Sequence, residues 1–247
     1  MKQCFLLSAT LLVSSLSPMW AETFYEPFAY EPGMLSGAGP WTGEEAPGAV
    51  QVMPGSLKID GLAPSKGSRA KLPSTQSKVH SAERPLESSF VSPWFSFILR
   101  IDSTQGLDAT TPFGLLRLTR SSGQAGPGIY VKPGPSAEQG FSLVISKRSN
   151  PQKCVVSPNP VATKIPHFVV GHYDTSVTPH VLKVWIDPSA DAFAAEEAPR
   201  ATFQTADGND LADGVDALVI GGGVKSPGLL LDEVRVGDSW ADVTPQN

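Results

Sequence analysis

The sequence is short of cysteine, of charge and of long apolar runs, and each shortage excludes something. Two cysteines occur in 247 residues. Cys4 falls in an N-terminal segment that reads as an export signal, so processing leaves only Cys154 and no internal disulfide can form. Cys4 also stands too early to be a lipoprotein cysteine, which ends the apolar region. Cys154 has Lys153 beside it but no surrounding Cys-His motif, so it reads as a buried thiol and not a nucleophile. Charged residues are 17%, below the usual quarter, and no run of like charges forms a patch. Loss of Lys2 with the signal leaves 18 basic against 24 acidic residues, a balance that argues against nucleic acid or an anionic membrane surface as partner. The apolar run from Cys4 to Val13 is too short and too broken by serine to span a bilayer. No Gly-x-Ser-x-Gly elbow is present. Gly221-Gly-Gly223 lacks the Lys-Ser/Thr of a phosphate loop and precedes a strand, so it reads as a tight turn.

What is present begins with that leader. Lys2 supplies a positive start, Cys4 to Val13 the apolar region, and Pro18-Met-Trp-Ala21 the approach to a cleavage site that Met19 fits poorly. The reading is a signal peptide over residues 1–21 and one domain over 22–247. No anchor helix or sorting tail precedes Asn247, so the expectation is a secreted protein, extracellular or periplasmic, with no membrane insertion. Glycine and proline number 23 each, as many turns and few helices require.

Alternation at period two is the main structural signal. Phe95, Phe97, Leu99 and Ile101 share one face of Trp94–Ile101; Trp94, Ser96, Ile98 and Arg100 share the other. In Gly114–Arg120, Leu116 and Leu118 oppose Arg117 and Thr119. In Gly128–Lys132, Ile129 and Val131 oppose Tyr130 and Lys132. Phe141, Leu143 and Ile145 fall together in Phe141–Ser146. These four segments predict one antiparallel meander with a dry and a wetter face. Ile165–Asp174 and His180–Asp187 predict a hairpin about Thr175–Pro179. Asp191–Ala198 is a single helical turn or a loop. Asp216–Gly221 and Leu229–Gly237 are the last strands, the latter followed by a short capped exit. Strand-like pieces occur at Ala49–Met53 and Ser56–Asp60, whereas polar Pro64–Pro85 reads as a long loop. The class is all-β: a two-sheet antiparallel β-sandwich.

Six segments carry a family likeness by their order: Phe24-Tyr-Glu-Pro-Phe28, Gly55–Leu62, Trp94–Arg100, His167–Asp174, Leu182–Pro188 and Asp232-Glu-Val-Arg-Val-Gly237. Together they resemble the concanavalin A-like, or laminin-G-like, jelly roll of secreted bacterial proteins. The resemblance implies two antiparallel sheets packed face to face and binding of glycans or proteins. Some members hold a structural calcium, and the pair this implies is Asp232 with Glu26. The family also hosts retaining glucanases, whose Glu-x-Asp-x-x-Glu motif is missing. Glu44-Glu45 and Asp232-Glu233 are adjacent, so in a strand each pair would point to opposite faces.

Sugar recognition needs an aromatic face flanked by hydrogen-bonding groups. The wetter positions offer Trp94, Arg100, Arg117, Tyr130, Lys132 and Trp185, with Lys183 as an extension; packing of the tryptophans under loops is the alternative. A lyase could draw on Tyr173, His172, His180 and Arg100, although the characteristic lyase strand motifs are absent. His167, His172, Asp174 and His180 form only a weak zinc pattern. The favoured expectation is a non-catalytic module that binds polysaccharide or a cell-surface glycan on a concave sheet face. The alternatives are a polysaccharide-degrading enzyme on the same fold and a structural or protein-interaction module at the cell surface.

Overall fold

The computed structural model describes residues 23–46, 48–73, 80–136, 140–148, 153–222 and 227–247. The signal segment and Gly223 lie outside them. Among the described residues sixteen strands follow in chain order: β1 (Phe24–Glu26), β2 (Gly33–Met34), β3 (Thr42–Gly43), β4 (Gln51–Met53), β5 (Arg69–Leu72), β6 (Ser81–Phe90), β7 (Trp94–Ile101), β8 (Phe113–Thr119), β9 (Ala125–Pro133), β10 (Phe141–Ser146), β11 (Val155–Val156), β12 (His167–Asp174), β13 (Val181–Ile186), β14 (Phe203–Thr205), β15 (Val215–Gly221) and β16 (Leu229–Gly237). Sheet A runs β14-β13-β12-β7-β16-β5-β4-β2, with β1 also on β16; sheet B runs β11-β10-β9-β8-β15-β6-β3.

The two sheets bury one core between them. Phe95, Phe97, Leu99 and Ile101 of β7 face inward with Leu116 and Leu118 of β8, Ile129 and Val131 of β9, and Phe141, Leu143 and Ile145 of β10. Each such side chain contributes about 1.5–3 kcal/mol by leaving water, so the alternating apolar set fixes which face of each strand points inward.

Two expectations need correction. The predicted meander is split: β8, β9 and β10 are consecutive neighbours in sheet B, but β7 lies in sheet A between β12 and β16. The stretch predicted as a loop from Pro64 to Pro85 contains β5 and the start of β6, with residues 74–79 outside the described set. Strand β6 reads as polar because Glu83, Pro85, Glu87, Ser88 and Ser89 are exposed, while Ala82, Leu86 and Phe90 face the core.

The predicted hairpin is present as β12 and β13, which pair from Val169–Ile186 to Asp174–Val181. Ser56–Asp60 is not a strand; it belongs to a loop laid over the outer face of sheet A. A 3-10 turn at Ala190–Ala192 and the closing helix α1 (Trp240–Val243) cover the same face. Ser239 caps α1: its Oγ accepts from Asp242 N at 3.2 Å and the Asp242 carboxylate accepts from Ser239 N at 2.9 Å, the reciprocal arrangement that satisfies two otherwise orphaned donors. Beneath these segments lies a second apolar layer of Leu57, Leu62, Ile98, Phe168, Val170, Trp185, Phe193, Trp240 and Val243.

Candidate functional site

The six residues expected to meet a ligand divide between opposite sides of the sandwich. Trp94, Arg100 and Trp185 lie on the outer side of sheet A. Trp185 is 4% exposed, packs edge-on to Trp240 at 5.4 Å, and donates its Nε1–H to the Pro199 carbonyl at 2.8 Å. It is a wall of the second apolar layer and cannot meet a ligand, which corrects the expectation. Trp94 is half-buried, stacked on His172 at 3.9 Å with 5.3 Å to Trp185. Arg100 pairs with Asp102 at 2.7 Å. Lys183 is held by Asp174 at 2.8 Å; burial works to raise that carboxyl, but hydrogen bonds from Lys183 and Ser176 outweigh it and bring it down to about 2.

Arg117, Tyr130 and Lys132 do share a face, the outer face of sheet B. The register places Glu83, Val219, Arg117, Gly128 and Ser146 in one row across five strands. Tyr130 stands one row along, beside Gly114 and Val144, and Lys132 stands beside Ser142 in the next. Gly128 is what lets the first two side chains lie close: a Cβ there would come within 2.9 Å of Arg117 Cγ and 3.0 Å of Tyr130 Cε2. Arg117 is half-buried. Its Nε is shut off from water without a hydrogen-bond partner, and its Nη2 would stand 3.0 Å from a Cβ on Gly222. Lys132, Pro133, Ser142, Val156, Pro158 and Pro160 line an adjoining pocket of about 340 Å³. Ser142 and the proline rim were not singled out from the sequence. Ser142 was within reach, because alternation already put Phe141 and Leu143 inward and so Ser142 outward.

Strands β8, β9 and β10 carry no Asp or Glu, whereas glycoside hydrolysis needs two carboxyl groups flanking the scissile bond. Tyr173 and His180 do meet, at 3.1 Å, but Tyr173 is 1% exposed and its hydroxyl accepts from Leu211 N at 2.9 Å. That pair ties the loop before β15 to the hairpin and is closed to substrate. His172 accepts or donates at Ser92 Oγ, 3.2 Å away, and burial lowers its pKa to about 4.

The implied calcium pair does not fit. Glu26 is 1% exposed: Oε1 accepts from Phe28 N at 2.6 Å, and Oε2 accepts from Trp41 Nε1 at 2.8 Å, from Tyr30 Oη at 3.0 Å and from Arg84 Nη1. Asp232 is also buried, its Oδ2 accepting from Leu57 N at 2.7 Å and its Oδ1 from Glu233 N at 2.8 Å. The two carboxylates have no partner in common, and a guanidinium already neutralises one. Calcium needs several oxygens with lone pairs turned to a common centre. The zinc pattern is dispersed as well: among the described residues no three His, Cys, Asp or Glu side chains converge.

No family model matches the chain, and no curated protein matches it. Solved structures do. SCLam, a non-specific endo-β-1,3(4)-glucanase of family GH16, is similar at 9% identity over 90% of this chain and 96% of its own, with a TM-score of 0.52. The Emp47p carbohydrate recognition domain is similar at 13% identity over 87% and 97%, with a TM-score of 0.45. An endo-1,3-β-glucanase from Streptomyces sioyaensis is similar at 11% identity over 91% and 98%, with a TM-score of 0.46. The fold is an antiparallel two-sheet sandwich. More narrowly, it is the concanavalin A-like jelly roll.

Proposed function

We propose that this chain is a secreted, non-catalytic module that binds polysaccharide through the outer face of β8 and β9. The observation that carries the reading is the placement of Arg117, Tyr130 and Lys132 on one sheet face beside a pocket, on strands that supply no carboxylate. Tyr130 offers an aromatic body, and the two cations offer hydrogen-bond groups for hydroxyls. The glucanase SCLam uses the same fold on a β-glucan, which favours a glycan over other ligands. The leader pattern of residues 1–21 supports export.

A glycan array with the purified protein tests this. Binding is expected, and is expected to be the same in calcium and in chelator, because no calcium-binding arrangement is formed by Glu26 and Asp232. Release of reducing or unsaturated ends from the bound polysaccharide would replace the binding module with an enzyme, and silence of a folded protein on all glycans would defeat both. Gly128→Ala gives a sharper test. The added methyl displaces Arg117 and Tyr130, so affinity is expected to fall about tenfold, near 1.4 kcal/mol, in a variant that a melting curve shows to be folded.

A further inference from the structure

We infer that the ligand of this face is an acidic polysaccharide, a polyuronate whose carboxylates are held by Arg117 and Lys132 on either side of Tyr130. The inference rests on the proposed binding face and adds the charge of what binds there.

Charge is the first argument. The chain carries an excess of acidic residues, yet the three strands of this face contribute Arg117 and Lys132 and no Asp or Glu. The carboxylate that shares the Arg117 row is Glu83, two strands away across Val219 and exposed. Neither Arg117 nor Lys132 forms an ion pair among the described residues. Six cations elsewhere already have a carboxylate: Arg84 has Glu26, Arg100 has Asp102, Arg120 has Asp213, Lys147 has Asp210, Lys183 has Asp174 and Arg235 has Glu233. A half-buried guanidinium with its Nε shut off from water and no counter-charge is electrostatically incomplete. An anion on the ligand completes it.

Geometry is the second. The guanidinium is a planar fork that matches a planar carboxylate through two parallel N–H···O bonds, whereas the lysine ammonium is a point charge. Four residues along β9 separate Gly128, the partner of Arg117, from Lys132, roughly 13 Å of strand. Tyr130 stands between them. The order of cation, aromatic ring and cation suits a chain of rings bearing repeated charge, and one monosaccharide could not engage both cations. A local positive stripe on an overall acidic protein orients such a polymer as it approaches.

The test is the affinity of the purified protein for polygalacturonate and alginate, set against fully methyl-esterified pectin, which keeps the rings and removes the charge. Binding to the two polyuronates is expected, weakening as salt rises, with at least roughly tenfold weaker binding to the ester. Arg117→Ala and Lys132→Ala are each expected to lose about tenfold. Arg117→Lys should recover only part of the loss, because it restores charge without the fork. Arg100→Ala, on the other sheet, should change nothing, and melting curves establish that every variant is folded. Equal binding to the ester, or binding indifferent to both Arg117→Ala and Lys132→Ala, overturns the inference. Binding to neutral glucans alone overturns it while leaving the polysaccharide-binding module standing; binding to no glycan overturns both.

Discussion

Glu26→Ala is expected to destabilise the protein by about 3–5 kcal/mol, the range for removing one partner of a buried ion pair. The carboxylate accepts from Phe28 N, Tyr30 Oη, Trp41 Nε1 and Arg84 Nη1. Arg84 comes from β6 in sheet B and Glu26 from β1 in sheet A, so the pair clasps the two sheets at one end of the sandwich. Alanine leaves the Arg84 charge and the Trp41 and Phe28 donors without an acceptor. Glu26→Gln restores an acceptor without the charge and should lie between the two. Urea midpoints for the three proteins check this. A calcium role for Glu26 predicts something different: chelator would lower the wild-type midpoint toward that of the alanine variant. The ion-pair account predicts no movement with chelator.

Asp232→Asn is expected to flatten the pH dependence of stability. Asp232 is fully buried, and burial raises its pKa to about 7, against the weaker opposing pull of hydrogen bonds from Leu57 N and Glu233 N. A carboxyl whose folded pKa lies above its unfolded value near 3.9 favours folding most below about pH 4, where it is protonated in both states. As pH rises from about 4 to about 7 the unfolded chain ionises first, so that contribution is lost, up to roughly 4 kcal/mol by the time both states are charged. Asparagine never ionises and keeps an oxygen for Leu57 N–H, while the loss of an acceptor for Glu233 N–H costs it a similar amount at every pH. The wild type should therefore fall in urea midpoint from about pH 4.5 to about pH 8 relative to Asp232→Asn. Parallel profiles would mean that the two backbone donors, with Arg69 nearby, hold the carboxylate ionised throughout.

The sequence was most legible where one face of a strand is dry. Strands β8, β9 and β10 could be placed from alternation, because Leu116 and Leu118, Ile129 and Val131, and Phe141, Leu143 and Ile145 turn to the core between the sheets. Alternation assigns a residue to one of two faces; it does not say which sheet a strand joins. That is why Trp94–Ile101 was grouped with β8, although the connection through residues 102–112 crosses from sheet A to sheet B. The same limit explains the tryptophans. Trp94 and Trp185 do point away from the main core, but that side is buried by loop segments, residues 54–68, 189–201 and 238–247, which carry no alternation to announce it. A lone Glu in β1 gave no sign of an arginine 58 residues on. Asp232 was read as a calcium ligand through family likeness; nothing in its own segment pointed to Leu57 N, from which its Oδ2 accepts. The shared face of Arg117, Tyr130 and Lys132 was legible because all three occupy outward positions on consecutive strands of one sheet.

The central claim is that ligand binds the Arg117 face of sheet B and not the tryptophan side of sheet A. The direct measurement is the dissociation constant of Arg117→Ala and of Trp94→Ala, both shown to be folded, for the polysaccharide that the wild type binds. The account predicts about tenfold weaker binding for Arg117→Ala and wild-type binding for Trp94→Ala. Loss of binding in Trp94→Ala with Arg117→Ala unaffected would contradict it.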